Sequence, residues 1–331
     1  MFRMQIQSKK KCIWYCSAAV SFLLFLLLNL WCDHLVNMQD AQQMAGRWSE
    51  KKDVAQISCF FSSKAEVTED TIQSFEYSLK NVLQEASITE TSENPSARLW
   101  VDAYSADGKI TLVNGRNTLD ANAIGIGGDF FLFHPLKLIT GSYFSGNDLM
   151  QDYCIIDQDA AWQLFGSNDV VGMTVYIGNV PHIVTGVVRR PQGRMEKAAG
   201  LTSTVVYVSY ETLEAYGTNN GINHYEIVMP NPVDEFAYGK VKEGIGIDEK
   251  NVEIVENSRR YSLPNRIKTI LAFGTRSMNG KAIIYPYWEN LARGYEDIIA
   301  LLTVFMLFLL LYPVVTVIWC FVHWWRHKGW T

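Results

Sequence analysis

The sequence is short of the residues that build familiar reactive centres. Six cysteines are present, but Cys12, Cys16, Cys32 and Cys320 lie in or beside long apolar runs, leaving only Cys59 and Cys154 elsewhere. Those two sit in strand-like stretches (VAQISCFF and YCIID), where cysteine packs as a small apolar residue; a Cys59–Cys154 bridge in an oxidising compartment is the alternative. There is no CxxC pair and no HExxH, and His134, His182 and His224 are scattered along the chain, each beside a strand or a proline. They read as packing or surface residues, so no metal site is expected. ATP hydrolysis needs a glycine-rich loop with Lys and Ser/Thr at fixed spacing. The nearest approach, GTRSMNGKA from Gly274, has one residue too many and Ala282 where Ser or Thr belongs. Gly125, Gly127 and Gly128 (GIGGD) lack the dinucleotide pattern and its strand-to-helix setting, and read as a flexible turn. No GxSxG elbow occurs. Neither an enzyme nor a bound cofactor is expected.

What the chain does have is two uncharged apolar segments near its ends, Cys12–Cys32 and Ile298–Val322, each long enough to cross a hydrocarbon core of about 30 Å as a helix. The first is too long for a signal-peptide core and is followed by no small-x-small site, so it reads as an uncleaved anchor. Arg3, Lys9, Lys10 and Lys11 precede it, and Arg326 and Lys328 follow the second segment, whereas Asp33, Asp40, Glu296 and Asp297 flank the inner ends. Basic terminal tails place 1–11 and 323–331 in the cytoplasm and 33–295 outside. Pro313 should kink the second membrane helix.

Setting those six tail cations aside leaves 23 basic residues against 34 acidic ones, a charge of −11 on the outer part compared with −5 overall. Such an acidic exterior argues against nucleic acid or anionic headgroups as partners and fits simple solubility.

Between the membrane segments the pattern alternates. VAQISCFFS (54–62) reads as a strand. Thr68 should cap a helix running to about Ala86, with Ile72, Phe75, Leu79, Val82 and Leu83 on one face. Residues 98–105 and 110–115 read as strands around a turn at Ala106–Lys109. Short β segments follow to about Arg190, after which STVVYVSY, ETLEAYG, HYEIVMP, Val233–Lys242 and NVEIVEN read as strand, helix, strand, helix and strand. The expected fold is α+β: an α/β lobe (53–116 and 203–258) carrying an inserted β-rich lobe (117–202), with a linker (259–295) to the second membrane helix.

Residues 129–188 are the most informative stretch. Leu136–Ile139 then Gly141, Tyr143 and Phe144 make a strand that turns at a glycine and buries aromatics. Asp157 should cap the helix DQDAAWQLFG, with Ala160, Ala161, Leu164 and Phe165 facing inward and Gly166 as the stop. Val171-Gly172 should turn into TVYIG, and Gly178-Asn179 into a returning strand through Gly186. This order of motifs (GSYF, ND, II, AWQLFG, DVVG and IVTGV) resembles the MacB-like periplasmic core domain of type VII ABC transporter permeases. On that resemblance Gly141, Phe144, Ala161, Leu164, Phe165, Gly166, Gly172 and Gly186 are scaffold residues, not a catalytic set.

The resemblance implies a membrane component that transmits motion, driven by a separate ABC ATPase subunit, with a fuller permease or a second copy completing a homo- or heterodimer in the bilayer. Two features depart from the family pattern. Ser142 replaces an Arg, and the chain stops nine residues after Val322, where the family continues to two further membrane helices. Engagement of an ATPase would then fall to Trp324, Trp325, Arg326 and Lys328, which could equally anchor the helix at the inner leaflet. The alternative is an anchored extracytoplasmic binding or sensor module with no ATPase.

Overall fold

The computed structural model describes residues 2–49, 53–89, 98–273 and 282–328. In chain order, α1 (Phe2–Asn37) and α2 (Met44–Trp48) precede β1 (Val54–Phe61), α3 (Glu69–Glu85), β2 (Val101–Asn114) and β3 (Asn117–Gly128). Then come α4 (Phe130–Phe133), β4 (Lys137–Gly141), β5 (Tyr153–Asp157), α5 (Gln158–Phe165), β6 (Thr174–Ile177), β7 (Val180–Arg189) and α6 (Arg194–Ala198). The chain finishes with β8 (Val205–Ser209), α7 (Tyr210–Tyr216), β9 (Thr218–Asn219), β10 (His224–Pro230), α8 (Phe236–Gly244), β11 (Val252–Glu256), α9 (Leu263–Leu271) and α10 (Tyr287–Lys328).

The contacts divide the chain into two units. One comprises Met1–Gln39, Tyr261–Thr275 and Arg293–Thr331; the other comprises Asp40–Arg260 and Arg276–Ala292. In the first unit, α1 and α10 carry the apolar stretches Cys12–Asn37 and Tyr287–Arg326, both long enough to cross a membrane. They pack on each other. Ser17 Oγ lies 2.7 Å from the Tyr312 hydroxyl, Ser21 Oγ donates to the Leu309 carbonyl at 2.7 Å, and Trp14 meets Trp319 edge to face. Hydroxyls of this kind join helices where lipid offers no competing partner. Cys32, Leu35, Ile299 and Met306 bury against one another, with Tyr261 packed beside them. Pro313 lies inside α10.

The second unit is built on one mixed sheet. Among the described residues it has eleven strands in the order β11-β1-β10-β2-β3-β8-β5-β7-β4, with β6 pairing β2 and β7, and β9 pairing β2. β3–β8 and β5–β7 are parallel and the other pairs antiparallel. Strands from both expected lobes are therefore hydrogen-bonded into one sheet. Central strands such as β10 are buried on both faces. Tyr225, Ile227 and Met229 point to a core formed with α3 and α8, where Ile72, Phe75, Leu79, Leu83, Ala237 and Val241 pack. On the opposite side Val228 joins Val101, Ala103, Phe130 and Trp288. Side-chain alternation along a strand is what separates these two sets.

The capping reading holds. Thr68 and Thr71 form a reciprocal cap on α3, and the Asp157 carboxylate accepts from the Ala160 amide at 2.8 Å at the start of α5. Gly166 (φ +72°) ends α5 in the left-handed region, and Gly178 and Asn179 form the expected tight turn with φ of +56° and +67°.

Several expectations fail. No turn occurs at Ala106–Lys109; β2 runs straight through and reverses at Gly115 (φ +60°) to pair with β3 along its length. Gly108 is a close approach rather than a turn, since a Cβ there would stand 2.4 Å from the Thr218 carbonyl oxygen. The GIGGD segment is likewise ordered strand, with a Cβ on Gly127 colliding with the Tyr104 ring. Phe165 packs against the core but is only half-buried, whereas Ala160, Ala161 and Leu164 are fully buried. The packing reading of Cys59 and Cys154 agrees with the structure: both are free buried thiols on strands that are not neighbours, and burial pushes the Cys154 thiol up to about 12. Most of the GTRSMNGKA stretch lies outside the described residues.

Candidate functional site

Of the sequence-selected motif residues, Gly141 and Gly186 face each other across β4 and β7. Gly141 (φ +84°), Gly172 (φ +81°) and Gly186 shape the turns and close approaches of β4, β6 and β7, whereas Phe144, Ala161 and Leu164 are buried and Phe165 half-buried. At the end of α10, Trp324 and Trp325 are exposed, as is Arg326.

The chemistry collects instead on one face of β10. His224 and Glu226 are two residues apart in a strand, so both project to the same side. The register sets Ser58 of β1 opposite Glu226, and Ser105 of β2 opposite His224. His134, the residue that ends α4, completes the group. All three titratable side chains are buried. His134 Nε2 stands 2.7 Å from Glu226 Oε2, and His224 Nε2 stands 3.4 Å from Glu226 Oε1. The approach is close but poorly aligned, because neither Nε2 nor Glu226 Oε2 makes a hydrogen bond of good geometry. Aromatic rings enclose the group. Phe60 stacks on His224 at 5.0 Å, and Trp288 lies 4.3 Å from the His134 ring and 5.3 Å from that of His224.

A hydrogen-bond chain runs outward from Glu226. Ser58 Oγ donates to Glu226 Oε1 at 2.6 Å, Asn257 Nδ2 donates to Ser58 Oγ at 2.6 Å, and Arg260 Nη1 donates to Asn257 Oδ1 at 3.1 Å. Arg260 then holds Glu289 of α10 through both prongs of its guanidinium. Serine, asparagine and arginine thus satisfy acceptors that would otherwise be costly to bury.

Burial pulls the His134 imidazole below its ordinary value, against the attraction of Glu226. Burial alone would push the Glu226 carboxyl up, but the two histidines outweigh it and hold it well below the usual range. The second effect draws on positive charge that the first removes. The loss of charge on His134 is the firmer direction, since desolvation acts on it whatever its neighbour does.

The histidines that looked scattered are all buried, and His134 and His224 meet. His182 is separate, bonded to the Val180 carbonyl and Thr212. The only sequence trace of the site is the H-x-E spacing in β10. His134 reaches it through the turn after α4, which no local pattern foretells.

The sequence model of the MacB-like periplasmic core domain matches residues 38–254, well over half of the chain. Among curated proteins, the macrolide export ATP-binding/permease protein MacB of Pasteurella multocida (strain Pm70) is 31% identical over 98 residues, which cover 29% of this chain and 14% of the relative. MacB of Neisseria gonorrhoeae (strain ATCC 700825 / FA 1090) is 36% identical over 80 residues, covering 23% and 12%. The match thus spans about one seventh or less of these relatives' length. The crystal structure of the periplasmic region of MacB from Actinobacillus actinomycetemcomitans overlaps 66% of this chain and 94% of that one, at 20% identity and a TM-score of 0.41. At that score the overlap is loose.

Proposed function

Because the chain belongs to the MacB-like periplasmic core domain family, we propose that it is a non-catalytic membrane component of a MacB-like ABC transporter system, transmitting motion between a partner ATPase or permease and the extracytoplasmic space. One observation supports the transmission reading most. Helix α10 is a single run from Tyr287 to Lys328 that contains the second apolar segment. Its first turn is fixed in the sheet-bearing unit by the buried Arg260–Glu289 pair and by Trp288. A helix held at its start carries displacement along its length through its i→i−4 backbone bonds, which Pro313 interrupts once.

In this reading the partner is a separate ABC ATPase subunit, a fuller permease, or both, in a homo- or heterodimer. The tail residues Trp324, Trp325, Arg326 and Lys328 are the contact surface on the cytoplasmic side. The test replaces those four with Ser in the full chain and identifies what co-purifies from membranes. Loss of a co-purifying ATPase, with insertion and abundance intact, supports docking through the tail. If no ATPase or permease co-purifies even with the native tail, the transporter reading fails and an anchored binding or sensor module takes its place.

A further inference from the structure

The buried cluster on β10 has the chemistry of a metal site. His134, His224 and Glu226 can each offer one ligand atom, and those atoms all lie within 4.8 Å of one another. Two imidazoles and one carboxylate are a donor set that suits zinc and its neighbours, whereas calcium and magnesium prefer all-oxygen sites. With bonds of about 2.0–2.1 Å, donors around a tetrahedral zinc stand about 3.3 Å apart. His134 Nε2 and Glu226 Oε2 stand 2.7 Å apart, so that pair would open by about 0.6 Å to reach this spacing.

Two further observations point to a ligand. Among the buried atoms without an aligned hydrogen bond are His134 Nε2, His224 Nε2 and Glu226 Oε2, the atoms that would bind an ion, together with the neighbouring Trp288 Nε1. The backs of the ligands are held as metal ligands commonly are: Ser105 Oγ lies 3.3 Å from His224 Nδ1, and Ser58 donates to Glu226 Oε1. Among the described residues, the basic groups within ion-pair distance of Glu226 are the two histidines alone.

We propose that His134, His224 and Glu226 bind one zinc ion, which clips the turn after α4 to strand β10 beside Trp288. The clip joins parts of the chain far apart in sequence, so metal binding would stabilise this unit whether or not a transporter partner exists.

The test uses the full chain purified in detergent without a polyhistidine tag, from cells supplied with zinc and, separately, with cobalt. The expected result is about one zinc per chain retained through a chelator wash, and visible absorption bands of low-coordinate cobalt in the second preparation. His134→Gln and Glu226→Gln should each lower retained metal at least tenfold, whereas His34→Gln and His323→Gln should leave it unchanged. Ser105→Ala keeps every donor and should weaken retention by about tenfold. If the site variants fail to fold, the wild-type content and cobalt spectrum decide alone. Wild-type protein with less than about a tenth of an equivalent of metal and no cobalt bands overturns the proposal. So does metal that the two site variants retain at the wild-type level.

Discussion

Arg260 and Glu289 meet through two hydrogen bonds, Nη1 to Oε2 at 2.7 Å and Nη2 to Oε1 at 2.8 Å, with both side chains almost wholly out of solvent. Arg260 follows the short turn after β11, and Glu289 lies in the first turn of α10, where a carboxylate also complements the helix dipole. The pair therefore ties the first turn of α10 to the turn after β11. Removing one member deprives the other's buried charge of its two-pronged partner.

Glu289→Leu and Arg260→Met should each destabilise the chain by about 3–5 kcal/mol, and the double variant should lie closer to wild type than either single one. Thermal unfolding of the full chain in detergent measures this. Additive losses in the double variant would show that the two residues act independently.

Glu76 provides a pH test. Burial, and then the neighbouring Asp102 charge, holds its carboxyl up at about 8, compared with 4.5 ordinarily. Asp102 also accepts a hydrogen bond from the Tyr225 hydroxyl at 2.8 Å. Between those two values the folded chain binds more protons than the unfolded one, so stability is highest at the acid end and falls as pH rises through the window. Unfolding midpoints from pH 5 to 9 should show this decline in the wild type and a flatter profile in Glu76→Gln. Equal slopes would remove Glu76 as the cause.

The turn glycines separate two kinds of strain. Gly172 and Gly141 both have φ near +80°, but a Cβ on Gly172 meets nothing within 4 Å, whereas one on Gly141 would stand 2.1 Å from the Thr185 carbonyl oxygen. Gly172→Ala should cost about 1–2 kcal/mol from backbone conformation alone, and Gly141→Ala clearly more. Matched chemical or thermal unfolding of the two variants ranks them.

In α5 the core residue is Leu164, 1% exposed, rather than Phe165. Leu164→Ala should destabilise by about 2–5 kcal/mol, and Phe165→Ala by less. The reverse order in thermal unfolding would place the core on the other side of the helix.

Orientation in the membrane is tested with single cysteines at exposed sites, Arg116 in the β2–β3 turn and Arg326 at the end of α10, with Cys12, Cys16 and Cys320 replaced by Ser. A membrane-impermeant thiol reagent applied to intact cells should label Arg116→Cys and spare Arg326→Cys. The opposite pattern would invert the topology.

Local signals carried a large part of the fold. The two apolar segments, the Thr68 and Asp157 caps, the Gly166 stop and the Gly178-Asn179 turn are each determined by residues within a few positions of one another, so sequence alone suffices to read them. The family resemblance rests on the same kind of information, ordered turns and short buried runs between 129 and 188. The course of β2 was misread because Ala106–Lys109 is turn-like by composition. Only the facing carbonyl of Thr218 shows why Gly108 belongs in a strand. The buried cluster lies further still from sequence reasoning. His134, His224 and Glu226 come together through strand register and a turn after α4, and Arg260 reaches Glu289 across a stretch with no periodic relation. Contacts of that kind depend on which strands become neighbours, a choice settled by burying both faces of the sheet at once, and so only the tertiary structure could decide them.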